Sequence, residues 1–163
     1  MSTRLEVVHV KLTRYELFMG AMTGVRREIE ALVRGLPERH GAKKEHGWTL
    51  HIEGALGELA VAKVLNQFWS GTVNTFKAGG DLGSRVQIRT RSERWHELIV
   101  RDDDADDARY VLVVGTAPEY DVVGSKLGRE ARRAEWRKPH GGREEAYFVP
   151  QDQLDPVVHT GGN

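Results

Sequence analysis

The sequence predicts an α/β or α+β chain with helices packed on a mixed central sheet. Three observations carry this. Two long helical patterns stand near the start. A series of short apolar runs follows them, and one of these, Arg109 to Gly115, is apolar almost without interruption. A run of that kind marks a strand covered on both faces. At 163 residues the chain fits one domain, 1–163, and no internal repeat or linker divides it.

The elements are expected in this order. Leu5 to Leu12 is partly alternating and rich in valine, as a strand is. Thr13 followed by Glu16 has the spacing of a capping box and opens a helix. Phe18, Met22, Val25, Ile29, Leu32 and Leu36 recur at steps of three and four, which predicts the buried stripe of that helix, ending near Gly35 and Pro37. Glu38 to Gly47 is polar and reads as a surface loop. A second helix, from about Thr49 to Asn66, is apolar on most sides and belongs in the core. Short strands are expected at Thr72 to Phe76, Arg85 to Arg91, Glu97 to Arg101, Arg109 to Gly115 and Tyr120 to Val123. Asp102 to Asp107 holds five acids in six residues and reads as a solvated turn, since it lacks the glycine and glutamate of a calcium loop. Lys126 to Arg137 is expected to be a charged helix or loop, and Tyr147 to Val149 an edge strand ended by Pro150. The terminal residues are expected to fray.

Composition narrows the function classes. There is no cysteine, which excludes disulfides, zinc–thiolate sites and cysteine nucleophiles and suits a reducing cytosol. No apolar run approaches the roughly 18 residues a membrane span needs, and no secretory signal is visible. The expectation is a cytoplasmic protein with no membrane partner. Formal net charge is zero, so affinity for nucleic acid would have to come from a local basic patch.

Two segments carry candidate chemistry. On the second helix, at about 100° per residue, Glu58 shares a face with His51, Gly54, Ala55, Ala62 and Leu65. A carboxylate among small and apolar neighbours needs a partner or a cation. The second segment is GGDLGSRVQIRTR, Gly79 to Arg91. Asp81 follows a Gly-Gly turn. Gln87 and Arg89, two apart, point to one face of a strand, and Val86 and Ile88 to the other. Arg85, Arg89, Arg91, Arg94 and Arg101, with Trp95 and His96 among them, form the strongest basic stretch. Such a stretch suits phosphate contact and base stacking, or equally a solvated strand paired with the acidic run nearby. His51 is a candidate proton carrier or a plain helix residue. Trp48, Trp69 and Trp136 are assigned to packing.

A helix glutamate, then an aspartate, then a polar-x-basic pair on a strand resembles the PD-(D/E)XK nucleases. Within them it resembles small phage-encoded proteins of this type. The segments HIEGALGELAVAKVL, GGDLGSRVQIRTR, LIVRDDDADDARYVLVVG and AYFVPQDQL carry the resemblance over most of the chain. It implies a restriction-endonuclease-like mixed central β-sheet flanked by helices and a metal-dependent, Mg²⁺- or Mn²⁺-using phosphodiesterase acting on DNA. Glu58, Asp81, Gln87 and Arg89 would be catalytic, with Glu58, Asp81, Gln87 and the Ile88 carbonyl holding metal. Arg85, Arg89, Arg91 and Arg94 would contact DNA, and a homodimer is possible for such a fold. Two residues depart from the pattern. Gln87 is neutral where the family has Asp or Glu, and Arg89 replaces Lys and stays protonated, so it can clamp phosphate but not act as a base. These departures favour the alternative, a catalytically silent DNA-binding or assembly module of the same fold.

Overall fold

The computed structural model describes residues 6–37, 46–73, 81–83 and 85–157. Most of the strand expected at Thr72 to Phe76, most of the expected loop after Leu36 and the expected terminal fraying lie outside these residues.

The chain is mixed α/β. A short strand β1 (Val8–Lys11) leads into helix α1 (Arg14–Val33). The capping box forms as the spacing predicts: the Thr13 amide donates to the Glu16 carboxylate at 2.6 Å and the Glu16 amide to Thr13 Oγ1 at 3.3 Å. Helix α2 (Gly47–Leu65) follows and ends at Asn66, whose φ of 51° gives a left-handed C-cap.

Strand β2 (Val86–Arg91) lies parallel to β4 (Arg109–Thr116). β5 (Glu119–Leu127) runs antiparallel to β4, and β1 antiparallel to β5, giving the order β1-β5-β4-β2. The remaining strands, β3 (Leu98–Val100), β6 (Arg137–His140) and β7 (Arg143–Val149), do not join this sheet. They form a second one, in the order β3-β7-β6. The expectation of one central sheet is corrected here, as is that of β7 as an edge strand: it lies between two partners and ends at Val149 before Pro150. The charged segment after β5 holds a short helix, α3 (Gly128–Ala131), and a 3₁₀ turn at Ala134–Trp136.

Both faces of the first sheet are covered, which explains the unbroken apolar run of β4. Val111 and Val113 join Leu56, Val61, Ile88 and Val122 against α2. Tyr110, Leu112 and Val114 point the other way and pack with Leu98, Val100 and Val149 of the second sheet. Among the described residues no helix is long and apolar enough to cross a membrane.

α1 reverses its expected orientation. Phe18 is 64% exposed and Met22 44%, and Ile29, Leu32 and Leu36 also face outward. The buried positions are Gly20, Gly24 and Glu28. A Cβ on Gly24 would strike the α2 backbone at Ile52, and one on Gly20 would meet Leu56 Cδ2 at 2.5 Å. The two helix axes approach so closely that the contact selects for missing side chains rather than for large apolar ones. A stripe chosen by hydrophobicity therefore falls on the wrong face. Gly57 makes the same kind of contact between α2 and Thr90 of β2.

Two alanine substitutions should move stability in opposite directions in thermal unfolding followed by circular dichroism. Gly54→Ala on α2 meets nothing within 4 Å and should stabilise by up to about 1 kcal/mol through helix propensity. Gly24→Ala should destabilise by about 1–3 kcal/mol, because the backbone clash outweighs the same propensity gain. A stabilising Gly24→Ala would mean that the helices do not touch there.

Candidate functional site

The close approach of α1 to α2 delivers Arg27 to Glu58. Glu58 is buried on α2. Arg27 Nη1 donates to its Oε1 at 2.7 Å and Nη2 to its Oε2 at 3.0 Å. Trp69 Nε1 adds a third donor to Oε2 at 3.1 Å. Arg27 Nε is in turn held by the Thr72 carbonyl at 2.9 Å. The carboxylate that the sequence left needing a partner thus has two, forked and charge-assisted on one side.

Asp81 stands where the chain enters β2. Its Oδ2 accepts from the Ile88 amide at 2.6 Å. Burial, and then the negative charge of Glu58, push its pKa up from the ordinary 3.8 to about 6, against the pull of the Ile88 amide, Arg89 and Arg27. Glu58 and Asp81 are therefore neighbours that share an electrostatic environment.

Gln87 and Arg89 share a face as predicted, but it is the face opposite α2. Ile88 packs against α2 and Thr90 touches it. By strand alternation Gln87, Arg89 and Arg91 point toward the second sheet. There Arg89 Nη2 donates to both oxygens of Asp104, at 2.8 and 2.9 Å, and its guanidinium lies 4.9 Å from the centre of the Tyr110 ring. Arg91 Nη1 donates to the Glu97 carbonyl at 2.9 Å. The structure thus brings Glu58 and Asp81 together and sends Gln87 and Arg89 to the other side of the strand.

The remaining basic residues divide. Arg85 and Arg94 are exposed, with ion pairs to Asp107 at 2.7 Å and Asp121 at 4.0 Å. Such surface pairs are weak and readily exchanged for another anion. Trp95 is 74% exposed and leans on His96 with ring centres 4.4 Å apart and planes tilted by 56°.

Sequence reasoning missed four participants. Arg27 and Trp69 hold Glu58. Glu28, fully buried, takes His51, with Nδ1 and Oε2 3.0 Å apart, so His51 serves Glu28 rather than Glu58. Asp104, placed by sequence in a solvated turn, is instead the counter-charge of Arg89 and also accepts the Arg101 amide at 2.8 Å. Arg27 and Glu28 follow Gly20 and Gly24 at helical spacing, so taking the glycines as the packing face would have found both.

A divalent cation needs several converging oxygen ligands. The Glu58 oxygens are engaged by Arg27 and Trp69, Gln87 lies across the strand, and Asp81 Oδ2 is taken by the Ile88 amide. Among the described residues no group of three or more His, Asp or Glu side chains could hold a metal ion. The arrangement as built does not fit the expected cation. No family model matches the chain, and no curated protein or solved structure matches it either.

Two outcomes follow. Arg27→Met leaves Glu58 buried without its cationic partner and should cost about 3 kcal/mol of unfolding free energy, most of it restored by adding Glu58→Gln. A folded-state pKa above the unfolded value means the native state holds the extra proton at acid pH. The wild type should therefore lose stability as pH rises from about 4 to about 6. Asp81→Asn should flatten that slope in melting curves taken between pH 4 and 7. An unchanged slope would show that Asp81 titrates normally.

Proposed function

We propose that this chain is a restriction-endonuclease-like, PD-(D/E)XK-type domain that engages DNA without hydrolysing it, as a binding or assembly module. One observation carries the reading. The Arg27 guanidinium occupies the Glu58 carboxylate, while Gln87 and Arg89 project from the opposite face of β2, with Arg89 answered by Asp104. A cation is thereby replaced by an internal guanidinium, and the basic residue meant for phosphate is spent inside the fold. DNA contact falls to the groups left outside: Arg85, Arg94 and the exposed ring of Trp95.

The second reading is the metal-dependent phosphodiesterase, using Mg²⁺ or Mn²⁺. What favours it is the Glu58–Asp81 pair, two neighbouring acids of which one resists ionisation. It requires Arg27 to leave Glu58 first.

The two separate in one set of assays. Supercoiled, linear and single-stranded DNA should stay intact with Mg²⁺ or Mn²⁺, while DNA is retained at low salt and released as salt rises. Arg94→Ala should weaken retention several-fold and lower the salt slope by about one, and Trp95→Ala should weaken single-stranded binding most. Cleavage abolished by Asp81→Ala would establish the second reading. No retention of any DNA would defeat both.

A further inference from the structure

Helix α1 carries a row of apolar residues on the side that α2 leaves alone. Tyr15, Phe18, Met22, Val25, Ile29 and Leu32 follow one another at steps of three and four in strict alternation. That is the spacing of a seam that packs lengthwise on another helix. The partner is not α2. Gly20, Gly24 and Glu28 face α2, and Phe18 and Met22 lie on the opposite side of the helix from Gly20.

Tyr15 is 83% exposed, Phe18, Met22, Ile29 and Leu32 are exposed with it, and so are Met19 and Val33 beside the row. Side chains of this size and exposure leave on the order of 800 Å² uncovered. A monomeric protein rarely keeps so large an apolar patch. The area matches one partner's share of an ordinary protein–protein interface. Residues 1–5, 38–45, 74–80 and 158–163, outside the described part of the chain, offer Met1, Leu5, Phe76 and Val158 as large apolar side chains, too few to cover it.

We propose that this face of α1 packs against α1 of a second copy of the chain, antiparallel about a two-fold axis. The row is its own complement. With the axis level with the helix midpoint, between Thr23 and Gly24, Tyr15 meets Leu32 of the second copy, Phe18 meets Ile29, and Met22 meets Val25. Each contact then occurs twice. The long or aromatic side chains stand in the first half of the helix and the branched aliphatic ones in the second. Reversing one copy therefore sets large against small throughout, whereas a parallel pair would crowd Phe18 on Phe18 and leave Val25 loose on Val25. Arg26, beside the row, comes level with Ala21 of the second copy, where a small neighbour leaves room for its stem and lets the guanidinium reach water. The pairing does not depend on the DNA reading.

The test is the mass of the full chain in solution, by sedimentation velocity from about 1 to about 100 µM, since interfaces of this size reach micromolar affinity or better. The wild type should move from 18.3 kDa toward twice that mass. Phe18→Glu and Ile29→Glu each bury a charge in the seam and should weaken association by at least about a hundredfold. Both should keep the circular dichroism and the melting temperature of the diluted wild type. A wild type that stays monomeric throughout leaves the face to another occupant and overturns the pairing. A dimer that survives both substitutions uses a different surface and overturns it too. Cross-linking reads the direction and serves if a glutamate variant does not fold. The chain has no cysteine of its own, so introduced cysteines can be joined by a short bismaleimide. A mixture of Phe18→Cys and Ile29→Cys proteins should give a covalent dimer. Phe18→Cys alone should not, because antiparallel pairing holds the two copies of that position about 16 Å apart along the helix. Efficient cross-linking of Phe18→Cys alone, or none in the mixture, overturns the antiparallel register. DNA retained by a wild type that stays monomeric sinks the pairing and leaves the DNA reading standing.

Discussion

The contact between α1 and α2 governs the rest of the architecture. Without side chains at Gly20 and Gly24, the two backbones meet. That brings Arg27 and Glu28 over α2, one onto Glu58 and the other beside His51 and the first turn at Gly47. Two buried carboxylates are thereby placed: Glu58 is answered by a group far off in sequence, and Glu28 lies 3.0 Å from His51 without a hydrogen bond to it. Glu28 also gains from its position, since the start of a helix carries unsatisfied amides and a partial positive charge. A wider helix pair would leave Arg27 short of Glu58, and a buried acid without a counter-charge is among the costlier features a fold can carry.

The sequence made some of this legible because the signals are local. The Thr13–Glu16 capping box needs only four residues and formed as read. The extent of α2 and the two-sided burial of β4 follow from hydrophobic pattern alone. Other features depended on geometry that pattern does not encode. Hydrophobicity pointed to Phe18 and Met22 as the inner face of α1, whereas close packing chose glycine. Alternation along β2 correctly put Gln87 with Arg89, but it does not say which face meets the helices. That depended on Ile88 joining α2 and on a second sheet covering the other side. Asp104 looked like one solvated acid of five. Only the fold shows it tucked beneath Arg89 and the Arg101 amide.

Charge is distributed unevenly despite a formal total of zero. On the helix side of the first sheet, burial and then the charge of Glu58 make Asp81 hold its proton longer. On the far side burial, and behind it neighbouring arginines, pulls the pKa of Arg91 and Arg101 down against the attraction of Glu97 and Asp104. Both sides of the sheet thus carry charge that is mostly paired, Arg27 with Glu58 on one and Arg89 with Asp104 on the other.

The outward apolar residues of α1 have a consequence for how the chain tolerates change. Tyr15, Phe18, Met19 and Val33 are exposed and contribute little to the interior. Replacing them with polar residues should alter solubility and leave the melting temperature nearly untouched. Adhesiveness and rigidity are therefore uncoupled on this helix: one face sets how the molecule meets its surroundings, and the bare glycines behind it set whether the fold holds at all.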